Sequence, residues 1–237
     1  MIKDYVSFDL ETTGLSVDNH EIIEIGAVKV KSGKVIDRFT EFIKPNTKIS
    51  ATITNITGIT NEMVANARPT DEIIRDFANF CEDYILLGHN IMFDYKFVKK
   101  YASNYSIPFE KKGIDTLKIA RKVLKQLESK SLTTLCDYYH VVNRSAHRAY
   151  HDALATAKIY HLLAHDFETK DENLFCPVQL MYKPKKSQPC TLKQIAFLNA
   201  LCDYHNLQMN IHTEILSKSD ASKMIDKIIS EHGQMFQ

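Results

Sequence analysis

A chain of 237 residues with 30 basic and 29 acidic side chains has a formal net charge of +1, so no overall field draws it to nucleic acid or an acidic membrane; any such contact needs a local patch. Its apolar and charged fractions, 44% and 25%, are those of an ordinary globular protein, and no segment has the apolar length that spans a bilayer. Five cysteines without CxxC spacing, and an opening Met-Ile-Lys-Asp-Tyr without the apolar run of a signal peptide, predict reduced thiols and a cytoplasmic protein.

In the first element, Val6, Phe8 and Leu10 alternate with Ser7, Asp9 and Glu11. That is the period of a strand, so Asp9 and Glu11 share one face. Two such acids near a core stay ionised cheaply only with a cation between them, and oxygen ligation suits Mg²⁺ or Mn²⁺. An edge strand with two solvated acids is the plainer explanation. Thr12-Thr13-Gly14 ends the strand.

Residues 21–30 and 35–43 read as two more strands around a Ser32-Gly33 turn, and short connections favour antiparallel neighbours. Residues 45–60 read as a long loop. Residues 70–82 carry apolar side chains at helical spacing. A buried strand over 84–87 leads through Gly88-His89-Asn90 into a helix over 91–101. Residues 113–115 read as a fifth strand, followed by helices over 116–127 and 131–139, a polar loop over 145–150 and a long helix over 151–167. The predicted fold is α/β: a mixed five-stranded sheet flanked by helices on both faces. Pro177, Pro184 and Pro189, with Lys183, Lys185 and Lys186, predict a linker over 169–187. Thr191 and Gln194 fit a capping box opening a helix, and a second helix begins near 219. These form a small helical C-terminal module over 188–237.

The residues with chemistry each have a plain explanation when taken singly. Asp94 and Asp152 stand in the first turns of helices, where an acid is favoured anyway. His147 lies in a loop. His89 and Asn90 at a strand end can cap the next helix, and Phe93 can fill a core. Their combination is more specific: Asp-x-Glu on the first strand, Gly88-His89-Asn90-x-x-Phe93-Asp94 across a strand end, and His147 five residues before Asp152.

With these motifs in place, the chain resembles the DEDDh branch of the DnaQ-like 3′→5′ exonucleases, which includes the proofreading epsilon subunit and the exonuclease domain of PolC-type polymerases. The likeness covers about residues 1–168. His147-Arg148-Ala149-Tyr150-His151-Asp152-Ala153 is close to the PolC-type form, and Ile56–Thr60 and Gly113–Leu117 are further signposts. The sister branch has tyrosine four residues before the last aspartate; here that residue is Arg148. The resemblance implies a ribonuclease H-like fold and two divalent ions, Mg²⁺ or Mn²⁺, held by Asp9, Glu11, Asp94 and Asp152. In that scheme Asp9 bridges the ions, Glu11 and Asp152 serve one, and Asp94 serves the other. His147 would be the general base, since an imidazole accepts a proton near neutrality. Thr12, Thr13, Gly14 and Leu15, with His89, Asn90 and Phe93, would hold the terminal nucleotide. Lys96, Lys99, Lys100, Arg144 and Arg148 are candidates for following the backbone.

The implied function is removal of nucleotides from single-stranded or frayed 3′ ends of DNA, with a DNA polymerase as a partner in trans. An exoribonuclease keeps the same chemistry, because nothing in the sequence announces recognition of a 2′-hydroxyl. A non-catalytic binding subunit would be expected to lack a carboxylate, and none is missing. A ribonuclease H-like endonuclease would not show the His147–Asp152 spacing.

Overall fold

The computed structural model describes residues 1–143, 146–184, 189–207 and 216–235. They divide into two compact units, Met1–Lys183 and Pro184–Gln237.

Three strands open the first unit: β1 (Tyr5–Thr12), β2 (Ile22–Lys31) and β3 (Lys34–Phe42). They pair antiparallel in sequence order. The tight turn between β2 and β3 needs left-handed backbone at Ser32 and Gly33, whose φ angles are 50° and 76°. β4 (Ile85–Gly88) adds parallel to β1, and β5 (Lys112–Asp115) parallel to β4. The predicted mixed sheet is present, and a two-residue strand, β6 (Val178–Gln179), extends it at one edge, giving the order β3-β2-β1-β4-β5-β6.

Nine helices lie among the described residues: α1 (Ala51–Thr57), α2 (Asn61–Val64), α3 (Thr70–Cys81), α4 (Met92–Asn104), α5 (Thr116–Val123), α6 (Leu132–Tyr138), α7 (Ala149–Phe167), α8 (Leu192–Tyr204) and α9 (Lys218–His232). The sheet is covered on both faces, so β1 and β2 are buried almost throughout. Val6, Phe8 and Leu10 pack with Ile73, Ile74 and Phe77 of α3 and Tyr95 and Phe97 of α4. Tyr5, Val28 and Val30 pack with Ile159, Tyr160 and Leu163 of α7. The two-residue period of β1 therefore turns Asp9 and Glu11 toward the α7 side. Ser7, on the same side, donates its hydroxyl to the Ala153 carbonyl at 2.7 Å.

Gly26 lets the start of α7 lie directly on the sheet. A Cβ there would stand 2.0 Å from the Tyr150 backbone nitrogen and 2.2 Å from the Ala149 carbonyl carbon. Backbone cannot step aside as a flexible side chain can. Gly26→Ala is therefore expected to cost about 3 kcal/mol or more, the upper end of overpacking, and to displace α7. Urea unfolding of the variant measures this; a midpoint equal to wild type would show that the helix start yields freely.

Two segments differ from expectation. The predicted loop over 45–60 contains α1, capped at both ends: Ser50 Oγ accepts from the Ile53 N–H at 3.3 Å, and Gly58 takes left-handed backbone, φ 71°. Its Thr- and Asn-rich composition hides the helix, which is stabilised by burial of Ile23, Ile49, Ile59 and Val64 around it. The predicted linker is not free up to Lys183. Glu172–Phe175 forms a 3-10 turn, β6 pairs with β5, and Phe175 and Leu180 are buried. Prolines there break helical periodicity without preventing these apolar anchors from reaching the core.

The second unit has its own small core of Leu198, Leu201, Cys202 and Ile228. Its capping box is present: Thr191 N–H donates to Gln194 Oε1 at 3.1 Å, and Gln194 N–H to Thr191 Oγ1 at 3.2 Å.

Candidate metal centre

Three elements deliver four acids to one place. Asp9 and Glu11 come from β1, Asp94 from the first turn of α4 and Asp152 from the first turn of α7. β4 pairs with β1 only as far as Ser7. The Leu10 N–H beyond that point donates to Asp94 Oδ1 at 3.1 Å, which anchors α4 to the strand carrying the other two acids. Asp152 is held from both sides: Asn143 Nδ2 donates to Oδ1 at 2.6 Å, and the His147 backbone N–H to Oδ2 at 2.9 Å. His147 has φ 65°, an uncommon conformation for a residue with a side chain, and it lies at an exposed turn beside a buried acid.

Glu11, His147 and Asp152 each offer a ligand atom, and these atoms lie within 4.8 Å of one another. Asp9 is outside this triplet but close enough to feel the charges of Asp94, Asp152 and Glu11. Burial first, then these neighbours, hold the Asp9 carboxyl well above the usual carboxylate range. Burial, with Asp152 and Glu24, pushes Glu11 up to about 8, and Arg148 partly opposes this. Burial also raises Asp94 and Asp152, against the backbone and Asn143 hydrogen bonds that they accept. Four crowded acids with raised proton affinity need positive charge to ionise together. Carboxylate oxygens with one imidazole suit a hard or borderline divalent cation, so the donor set fits such an ion.

The predicted nucleotide-holding residues divide into two groups. Thr12 Oγ1 donates to the Gly14 carbonyl at 2.8 Å, and Thr13 Oγ1 accepts from the Glu21 N–H at 3.0 Å. Both hydroxyls thus shape the loop after β1. Gly14 rests on the His20 ring, which a Cβ would approach to 2.5 Å. Ser16 N–H fixes that ring by donating to His20 Nδ1 at 3.1 Å. Leu15 at the tip is 85% exposed. Beside it opens a cleft of about 240 Å³ lined by Leu15, Val17, Asn90, Met92, Phe93, Lys96 and Phe97. His89 is not part of this lining. Its Nδ1 pairs with Thr116 Oγ1 at 2.9 Å, because the residue still points along the β4 end toward β5, and burial lowers its proton affinity.

Most of the basic candidates already have partners. Lys99 pairs with Glu110, Lys100 Nζ donates to the Val17 carbonyl at 2.7 Å, and Arg148 pairs with Glu24. Lys96 lines the cleft. Arg144, with Lys185 and Lys186 of the predicted basic run, lies outside the described residues.

Sequence reasoning did not single out Glu24, Asn143 or His20. Glu24 did leave a signal: it is an acid inside the apolar run Ile22-Ile23-Glu24-Ile25. Asn143 and His20 become meaningful only through the contacts that the fold gives them with Asp152 and Gly14.

Residues 6–160 match the family model described as "Exonuclease". Among curated proteins, the chain is 41% identical over 157 residues to the DNA polymerase III PolC-type of Caldanaerobacter subterraneus, an alignment covering 66% of this chain and 11% of that protein. The chain thus spans about a tenth of the length of the polymerases that it matches. Among solved structures, the nuclease domain of 3′hExo, a DEDDh family member bound to rAMP, superposes with a TM-score of 0.61 at 22% identity, covering 76% of this chain and 98% of that one. Exonuclease X in complex with 5′ overhanging duplex DNA gives 0.58 at 23% identity, covering 72% and 96%. These two likenesses establish the fold. The family match, over more than half of the chain, places it in the exonuclease family.

Proposed function

We propose that this chain removes nucleotides from the 3′ ends of DNA by hydrolysing the terminal phosphodiester, with Asp9, Glu11, Asp94 and Asp152 holding two divalent ions, Mg²⁺ or Mn²⁺. The observation that carries the proposal is the convergence of Glu11, His147 and Asp152 within 4.8 Å, beside the buried Asp94 and the crowded Asp9. When bound, such ions offset the negative charge of the phosphodiester and ease both attack and departure. His147 accepts the proton of the attacking water at an imidazole nitrogen. The water oxygen forms the new bond to phosphorus, the bond to the penultimate O3′ breaks, that oxygen takes a proton from solvent to become the new 3′-hydroxyl, and a nucleoside 5′-monophosphate is released. Leu15, Asn90 and Phe93 hold the terminal base in the cleft; stacking against Phe93 accepts any base, because every base has a π-face.

DNA is the preferred substrate because the 41%-identical relative is a DNA polymerase. A ribonuclease reading draws support from structural neighbours, one bound to rAMP and one described as recognising a histone mRNA stem-loop. Digestion of end-labelled single-stranded DNA, matched RNA and circular DNA with Mg²⁺, Mn²⁺ or EDTA distinguishes them. The expected result is stepwise loss from the 3′ end of linear DNA, none with EDTA and none from the circle. Faster loss from RNA would reassign the substrate, and cutting of the circle would reject exonuclease action.

We further assign residues 188–237 a role in gripping nucleic acid or a polymerase supplied in trans, and the whole to the cytoplasm. No helix of the described residues is long and apolar enough to cross a membrane. Deleting 188–237 is expected to weaken binding of long DNA while short oligonucleotides turn over as before. Unchanged binding of both would leave the segment without that role.

A further inference from the structure

We propose that Glu24 and Arg148 form a clamp that sets the positions of His147 and Asp152, making both positioning residues for the hydrolysis proposed above, on which this inference rests. Glu24 lies on β2 opposite Glu11 and is only 1% exposed. It accepts hydrogen bonds from Arg148 Nε at 3.2 Å to each oxygen, from Arg148 Nη2 at 2.8 Å and from the Ala149 N–H at 3.0 Å. All these donors belong to the start of α7.

The fork geometry fixes the rotation of the guanidinium as well as its distance, and the Phe42 ring lies 5.5 Å from it. Arg148 is the N-cap of α7 yet makes no side-chain cap of its own. Glu24 supplies that cap from the neighbouring strand, placing an anion where the helix dipole favours one. The Arg148 carbonyl in turn accepts from the N–H groups of His151 at 2.8 Å and Asp152 at 3.1 Å. Asp152 then receives the His147 N–H. The backbone of Arg148 thus connects the general base to the metal-holding acid, and Glu24 ties that backbone to the strand beside Glu11.

A need for stability alone would be met as well by an apolar residue in place of Glu24, since burying that charge against a partly exposed Arg148 returns little net free energy. What the ion pair adds is orientation, which a divalent centre needs from the groups behind its ligands.

The test uses the full chain with Glu24→Gln, and with Arg148→Lys, which retains a charge but loses the fork. Mn²⁺ affinity by calorimetry, kcat and KM on a short oligonucleotide, and melting temperature are measured for each. The expected result for folded variants is a loss of about 10–100-fold in Mn²⁺ affinity or kcat, with KM nearly unchanged. In a His147→Ala background the kcat effect of Glu24→Gln should shrink to about threefold or less, because coupled residues are not additive. Should Glu24→Gln fail to fold, Arg148→Lys carries the same comparison. A folded variant with wild-type Mn²⁺ affinity and kcat overturns the clamp, and an equal kcat effect with and without His147 overturns its action on His147. If wild type binds Mn²⁺ but degrades no nucleic acid, the nuclease proposal fails instead, and the clamp is judged on Mn²⁺ affinity alone.

Discussion

Glu11→Gln is expected to lower DNA hydrolysis on the order of 10³-fold, several kcal/mol of lost transition-state stabilisation, while making the metal-free protein more stable at neutral and alkaline pH. The two effects share one cause. Glu11 is buried against Asp152 and Glu24, and its carboxyl is pushed up to about 8 from an ordinary 4.5. Below about pH 4.5 it is protonated in both folded and unfolded chains and costs nothing. Above that, the unfolded chain ionises freely while the folded one resists, so stability falls as pH rises through about 8. The integrated loss is on the order of 4 kcal/mol. A neutral glutamine removes it. Thermal melts in EDTA at pH 5, 7 and 9 should show wild type losing more stability with pH than Glu11→Gln. Added Mn²⁺ should stabilise wild type more at pH 8 than at pH 5, since a ligand that binds the ionised folded form is linked to its deprotonation. Identical pH dependence of the two proteins in EDTA would show that Glu11 does not bear the strain assigned to it.

His147→Ala should reduce the rate about 10²–10⁴-fold, the usual contribution of a general acid or base, with Mn²⁺ affinity nearly unchanged. The geometry makes this a sharp test. The imidazole is near enough to Glu11 and Asp152 to act as a ligand itself, and a ligand's removal would weaken metal binding. An exposed turn suits a base that must meet water. Two features keep Asp152 in place without the ring: the His147 contact to Asp152 is through its backbone N–H, and Asn143 holds the other oxygen. Calorimetry with Mn²⁺ therefore decides between base and ligand independently of the rate. Full activity in purified His147→Ala would remove both roles.

Local patterns in the chain reported much of this centre. Period-two alternation put Asp9 and Glu11 on one face whatever the sheet did around them. Helix-start positions for Asp94 and Asp152 followed from the Gly88-His89-Asn90 strand end and the polar loop over 145–150 that precede α4 and α7. The loop after β1 could be read from Thr-Thr-Gly. His89 could not be placed, because a residue at a strand end can turn to either neighbour, and Thr116 took it. Helix α1 was obscured because Thr and Asn are weak helix formers; Ser50, Gly58 and burial supplied what propensity did not.

The amino-acid sequence by itself determined which acids share a strand face, where the helices carrying the others begin, and which family motifs they spell. Those properties depend on neighbours a few residues away. Only the tertiary structure decided that Arg148 answers Glu24 across 124 residues, that Asn143 steadies Asp152, and that Gly26 admits the start of α7. A buried charge takes whichever partner the fold brings within hydrogen-bond reach, and no local period encodes that choice.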